Sequence, residues 1–246
     1  MEIVYPPVIG ACRLLFRLLD LRIDIAGAAH IPRRGGAVIA CTHVSFLDFV
    51  FCGLAGVDVG RKTRFMAKQQ VFAHPVGGPL MRGMRHIPVD RTAGSASYRH
   101  AVTALRAGEV VGVFPEATIS RSFTVRDLKS GAVRMAAEAG VPLIPMAVWG
   151  TQRLWTKGRR PELQRRLPVL VRAGEPLHPV AGDDPAEQTA VLRERMSGLL
   201  DQALRAYPVP EGASPWWQPA HLGGSAPTLE VAEAGDLEDA RDRDPR

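Results

Sequence analysis

The sequence predicts an α/β domain built on a single mixed, mostly parallel β-sheet with helices packed against it. Three observations carry this. Short runs rich in Val, Ile and Phe alternate with stretches of helical periodicity; Gly, Pro or charged residues bound the runs; and 246 residues at 46% apolar and 23% charged suit one globular domain. The runs AVIACTH (37–43), TRFMAKQ (63–69), HIPVD (86–90), EVVGVFPE (109–116) and PLIPMAVWG (142–150) read as buried or half-buried strands, and PVLVRAGEP (168–176) adds a late one. Predicted helices cover about 45–56, 74–84, 95–107 and 129–139. The third is well delimited: Ser95 caps its start, Tyr98, Val102 and Leu105 share a face, and Gly108 stops it. Residues 184–206 read as a closing amphipathic helix.

On this reading the chain has three parts: an N-terminal amphipathic helix within 1–21, an α/β domain over 22–207, and a disordered tail over 208–246. In the first part, Pro6 and Pro7 suit a helix start, and Gly10, Arg13, Arg17 and Asp20 form a narrow polar stripe. Val8, Ile9, Leu14, Leu15, Phe16, Leu18 and Leu19 cover the rest, which fits a helix lying in a membrane interface or one buried against the sheet. The tail is rich in Pro, Gly and Ser before it turns acidic; Trp216 and Trp217 are unusual there and suggest that part of it docks back.

Composition removes several classes. Cys12, Cys41 and Cys52 form no C-x-x-C pair and no even disulfide framework, which favours a reducing compartment and excludes a zinc ribbon. The start MEIVYPP lacks a signal-peptide pattern and no run of about eighteen apolar residues occurs, so the expected location is cytoplasmic, peripheral on the inner face of the cell membrane. Residues 225–246 hold seven acids against three arginines, a net of −4. With the whole chain at +6, the remainder carries +10, suited to phosphate groups or an acidic membrane surface. Nucleic acid is not expected as a partner: aromatic residues total 6% and no recognition motif is present.

The chemistry concentrates at strand ends. His43 follows the first predicted strand and Asp48 lies five residues on, so the chain turns and the carboxylate can reach the imidazole. An aspartate that accepts from one ring nitrogen fixes the tautomer and leaves the other nitrogen to take a proton. Phe114-Pro115-Glu116-Ala117-Thr118 presents a glutamate and a threonine on a turn after another strand, suited to a polyol or a phosphate-bearing group. Arg91 ends HIPVD with a planar fork that fits phosphate oxygens. His74, His86 and His100 lack metal-ligand spacing, and Ser45 lacks the glycines of a hydrolase elbow. No H-E-x-x-H, G-x-S-x-G or Walker pattern appears.

In order and spacing, His43-V-S-F-L-Asp48, I-P-V-D-Arg91, F-P-Glu116-Ala117-Thr118 and Val141-Pro142-L-I-Pro145 resemble the four blocks of the glycerolipid acyltransferase family, the 1-acylglycerol-3-phosphate acyltransferases with their H-x4-D signature. The likeness covers about residues 36–150, and Ala67-Lys68 and Leu128-Lys129-Ser130-Gly131 match its flanks. It implies the glycerolipid acyltransferase fold and transfer of a fatty acyl group from acyl-CoA or acyl carrier protein to a lysophospholipid hydroxyl. His43 would be the general base and Asp48 its orienting partner. Arg91, Glu116, Ala117 and Thr118 would face the acceptor and its phosphate, with Lys68, Lys129 and Arg121 as further cations there. Val141, Pro142 and Pro145 would shape the donor or apolar side. Neither a metal, a bound cofactor nor a covalent acyl-enzyme is expected.

Three departures from the family pattern stand out: Ala117 and Arg85 occupy positions where glycine is usual, and Ile119 stands where arginine is common. Two other classes share some of these features: a non-catalytic lipid-binding homologue and a basic nucleic-acid-binding protein.

Overall fold

The computed structural model describes residues 3–90, 94–209, 212 and 214–242. The chain runs through α1 (Tyr5–Leu18), β1 (Arg22–Ala26), β2 (Ala37–Cys41), α2 (Asp48–Asp58), β3 (Thr63–Lys68), α3 (Gln69–Ala73), α4 (Gly77–Gly83) and β4 (Ile87–Val89). It continues through α5 (Gly94–Arg106), β5 (Val110–Val113), α6 (Gly131–Ala139), β6 (Leu143–Trp149), β7 (Pro168–Ala173), α7 (Pro185–Ala206) and α8 (Leu229–Asp242).

The seven strands form one sheet in the order β1-β7-β6-β2-β5-β3-β4. Its neighbours pair parallel except β6 with β7. Every residue of β2, β5 and β6 is buried, as expected of strands covered by helices on both faces. One core layer joins the sheet to α5, α6 and α7 through Val102, Leu105, Val133, Leu192 and Met196; the opposite layer joins it to α2 through Phe51, Cys52 and Leu54. Pro145 fits inside β6 because it lies one residue beyond the last β6–β7 pair, Met146 with Ala173, so the antiparallel ladder loses no donor there.

Differences from the sequence expectation have local causes. β1 (RIDIA) is not among the expected strands: it is a short edge strand whose exposed Arg22 and Asp24 leave no apolar run, only an alternation with Ile23 and Ile25. The helix expected over 74–84 is the shorter α4, and an unexpected helix, α3, precedes it, the two parted at His74-Pro75. Proline pushes the preceding residue to extended backbone, and His74 has φ −65° and ψ 134°; its Nδ1 then accepts the N–H groups of Val76 and Gly77 at 3.3 and 3.1 Å.

The tail expected to be disordered over 208–246 instead has described residues that pack on the body. Trp217 is buried and its ring lies 5.2 Å from that of Tyr207, while Arg159 sits 3.7 Å above the Trp216 ring. Two tryptophans outweigh a polar average, because each buries more apolar area than the surrounding Pro and Ser can forfeit.

The first helix divides its apolar residues. Tyr5, Cys12 and Phe16 turn inward at helical spacing, Phe16 stacking on Phe51 at 4.8 Å and the Tyr5 hydroxyl donating to the Thr63 carbonyl. Leu14, Leu15 and Leu18 point away, 58%, 44% and 60% exposed. No helix among the described residues is long and apolar enough to cross a membrane.

Candidate active site

β2 is flanked by β5 and β6, both parallel to it, so the three chains leave the sheet at one edge. Open α/β sheets bind ligands at this carboxyl edge. His43 stands two residues past β2, Phe114 follows β5 directly, and Thr151 lies two residues past β6. Residues more than a hundred positions apart therefore meet without any long side-chain reach.

Asp48 starts α2 and is fully buried. Its Oδ2 accepts from the N–H groups of Val44 and Ser45, both at 2.7 Å, and lies 3.0 Å from His43 Nδ1; its Oδ1 accepts from the Thr151 hydroxyl at 2.6 Å. A carboxylate so surrounded by donors is held in one orientation. Since it can only accept, it places the His43 proton on Nδ1 and leaves the Nε2 lone pair for a substrate proton. The imidazole stacks on Phe114, centroids 4.0 Å apart and planes 20° off parallel, and its side chain is 19% exposed. Two opposed constraints, a hydrogen bond at the edge and an aromatic face beneath, fix the ring in one orientation.

Glu116 holds the backbone of this pair. Its Oε1 accepts from the His43 N–H at 2.9 Å and its Oε2 from the Arg126 N–H at 3.2 Å. Burial pushes its pKa up to about 8, against the lowering effect of those two N–H groups; the nearby Asp48 charge raises it and that of Arg126 lowers it. The family pattern suggests a direct role for Glu116 at the acceptor. Both of its oxygens are instead committed to main-chain donors, which makes it a positioning residue for His43.

Ala117 turns the chain with φ 58°, the left-handed region where glycine is at ease, and Arg85 does the same at φ 58°. These are the two positions at which the family pattern usually has glycine. Ala117 is exposed and Thr118 half-buried, so this turn presents its surface beside His43, whose carbonyl accepts from the Ser120 N–H at 2.7 Å. Lys68 ends β3 at the same edge and is exposed; Lys129 is exposed and its N–H donates to the Pro115 carbonyl. Arg91 lies outside the described residues. Arg121 pairs with Asp236 and Asp239 of α8.

Val141, Pro142 and Pro145 are not brought to this edge. They precede β6 or sit in its first half, where the Pro142 carbonyl accepts from Val38 N–H and the Pro145 carbonyl from Gly174 N–H, both at 2.9 Å. That apolar block is the entry of a buried strand, and its residues set register at the opposite end of the sheet. Ser45 is buried, donates to the Trp155 carbonyl at 2.5 Å and accepts from the Leu47 N–H, a structural hydroxyl rather than a nucleophile. Among the described residues no three His, Cys, Asp or Glu side chains gather into a metal site.

Sequence reasoning misses Thr151, which bonds to Asp48, and Arg126, whose N–H bonds to Glu116. Thr151 has one signal: a hydroxyl residue after a glycine at the end of an apolar strand, a setting close to that of His43.

An imidazole fixed in this way, with one nitrogen open at a ligand-binding edge, has the geometry of a general base. The chain belongs to the Acyltransferase family, whose pattern it matches over residues 22–149, and it is an acyltransferase. It is 32% identical over 197 residues to a Bacillus subtilis protein named 1-acyl-sn-glycerol-3-phosphate acyltransferase, covering 75% of this chain and 94% of that one. A Limnanthes douglasii protein of the same name is 30% identical over 186 residues, 74% of this chain and 62% of its own length. In fold the chain resembles the crystal structure of PlsC, the 1-acyl-sn-glycerophosphate acyltransferase of Thermotoga maritima, with a TM-score of 0.65 over 79% of this chain and 77% of that one at 23% identity.

Proposed function

We propose that this protein transfers a fatty acyl group from acyl-CoA or acyl carrier protein to the free hydroxyl of 1-acyl-sn-glycerol 3-phosphate, giving phosphatidic acid in phospholipid synthesis. The observation that carries this reading is the His43–Asp48 pair, locked by Thr151 and Glu116 at the carboxyl edge of the sheet. The names borne by its relatives supply the substrate class.

His43 Nε2 takes the hydroxyl proton as that oxygen attacks the thioester carbonyl. The C–O bond forms, the carbonyl electrons move onto oxygen, and Asp48 stabilises the resulting imidazolium. As the carbonyl re-forms, the C–S bond breaks and the leaving thiolate recovers the proton from His43. The reading calls for no metal, no prosthetic group and no acyl-enzyme. On the acceptor side, Thr118 and Lys68 stand at the same edge as His43. The exposed leucines of α1, with Arg13 and Arg17 beside them, seat the enzyme on the anionic cytoplasmic face of the membrane that carries its acceptor.

The test is direct. Purified protein is incubated with 1-oleoyl lysophosphatidate and either oleoyl-CoA or oleoyl carrier protein, and phosphatidic acid is followed by mass spectrometry. The proposal expects product with at least one donor, formed about 10²–10⁴-fold more slowly by the His43→Ala protein. Absence of product with both donors, using folded enzyme and lysophosphatidate held in phospholipid vesicles, would refute it.

A further inference from the structure

Seven acids crowd residues 225–246, and the structure lays two of them, Asp236 and Asp239, on three cations beside the active-site loops. Asp236 of α8 is bonded to Arg126 and Lys157, and its Oδ1 lies 3.4 Å from Arg121 Nε. Asp239, one turn on, lies 2.8 Å from both Arg121 Nη2 and Lys157 Nζ. The three cationic side chains are only 14–25% exposed. Three positive groups held this close repel one another unless an anion sits among them. The carboxylates respond to the same field: burial alone would raise the Asp236 pKa, yet Lys157 and Arg126 bring it below the ordinary value, and Lys157 and Arg121 hold Asp239 at about 2.

This cluster is built into the catalytic loop. The main chain of Arg126 donates to Glu116, which in turn holds His43. Lys157 follows Thr156, whose hydroxyl donates to the Val44 carbonyl at 2.7 Å, and Trp155, whose carbonyl accepts from Ser45. The helix covering it is held in a different manner. Ala232 is buried, but Val231 and Leu237 of α8 are 61% and 62% exposed, so ion pairs rather than apolar packing seat it. Its tether is anchored upstream by Trp217, which keeps the two carboxylates at high local concentration even when they let go.

We propose that Arg121, Arg126 and Lys157 form a phosphate-monoester site next to His43 and that α8 is its built-in competitor, an autoinhibitory helix whose Asp236 and Asp239 match the two charges of a phosphate dianion. The role of the phosphate as a substrate group rests on the acyltransferase reading; the competition itself does not. A phosphorylated substrate must expel α8 to enter, so the helix sets a threshold of phosphate density below which the site stays closed. Because ion pairs dominate the contact, added salt weakens both occupants.

The experiment uses the full-length chain carrying Asp236→Asn with Asp239→Asn. Calorimetric titration at low salt compares this variant with wild type for three probes: inorganic phosphate, lysophosphatidate below its micelle concentration, and coenzyme A. At least one probe should bind tenfold or more tighter to the variant, and Arg126→Ala in the same background should erase the gain. A gain with lysophosphatidate alone assigns the site to the acceptor, one with coenzyme A alone to the donor, and one that includes inorganic phosphate to phosphate recognition itself. Equal affinities within twofold for all three probes overturn the proposal, with the ion pairs then serving stability only. If the variant does not fold, hydrogen exchange on the wild type decides. Saturating probe should speed exchange of α8 amides, and unchanged exchange with all three overturns the proposal. Loss of acyl transfer with the affinity gain retained would count against the enzymatic reading and leave the competition standing.

Discussion

The hydroxyl of Thr151 donates to Asp48 Oδ1 at 2.6 Å, joining the end of β6 to the first turn of α2 across 103 residues. Asp48 is fully buried, so loss of this donor leaves a carboxylate oxygen unsatisfied, at a cost of about 1–3 kcal/mol. Thr151→Val should lower kcat roughly tenfold with little change in the acceptor KM, and Thr151→Ser should restore it. An unchanged kcat in the valine variant would show that Asp48 needs no support from β6.

His43→Ala should reduce kcat by about 10²–10⁴-fold while the circular dichroism spectrum stays native. Asp48→Asn should be nearly as severe. Its amide oxygen can still accept from Val44 and Ser45, but a neutral amide no longer stabilises the imidazolium that forms at His43. Near-normal turnover of either folded variant rules out the base assignment.

Ala117→Gly should be neutral or stabilising, contrary to the usual cost of glycine. At φ 58° an alanine carries left-handed strain of roughly 1–2 kcal/mol, and glycine gives back about 0.5–1 kcal/mol in unfolded-chain freedom. The melting temperature should rise by up to a few degrees. A clear fall would mean that the Ala117 methyl makes a contact worth more than the strain it imposes.

The pKa of Glu116, about 8 in the folded protein, lies well above its unfolded value of about 4.3. Between these values the folded state binds the extra proton, so this contribution to stability is full at low pH and is lost as pH rises toward 8. His86 acts in the opposite sense. Burial, then the nearby Arg64 charge, lowers its pKa to about 4, and its contribution is lost as pH falls from about 6.5 to 4. In thermal melts the gap between wild type and Glu116→Gln should therefore narrow from pH 6 to pH 8. A gap that stays constant from pH 6 to pH 8 means the native carboxylate is ionised throughout, and the raised pKa is then wrong.

For α1, replacing Leu14, Leu15 and Leu18 by serine should release the protein from anionic liposomes with little change in melting temperature, since all three are exposed. Phe16→Ser should do the reverse, because its ring stacks on Phe51. Retained liposome binding in the triple variant would place the membrane contact elsewhere.

How much of this is legible in the sequence depends on the range of the contact. The strands of the central sheet and the His43–Asp48 pair follow from local pattern, because burial and a five-residue turn are short-range facts. Glu116 stands out in the sequence, but its role does not, since its partners are main-chain N–H groups that no residue identity reveals. Val141, Pro142 and Pro145 look functional because an apolar strand entry and an apolar binding wall have the same composition. The docking of Asp236 and Asp239 is hidden by distance, since charge complementarity over more than a hundred residues has no periodicity to read.

The Glu116–His43 bond spans 73 residues and joins loops that leave β2 and β5, strands that are neighbours only because the sheet's middle is assembled. A chain that must close such a loop before it is rewarded folds slowly, and its central pairing forms late. During refolding, recovery of turnover should consequently lag behind recovery of helical signal. The catalytic assay thereby becomes a clock for the last step of sheet assembly.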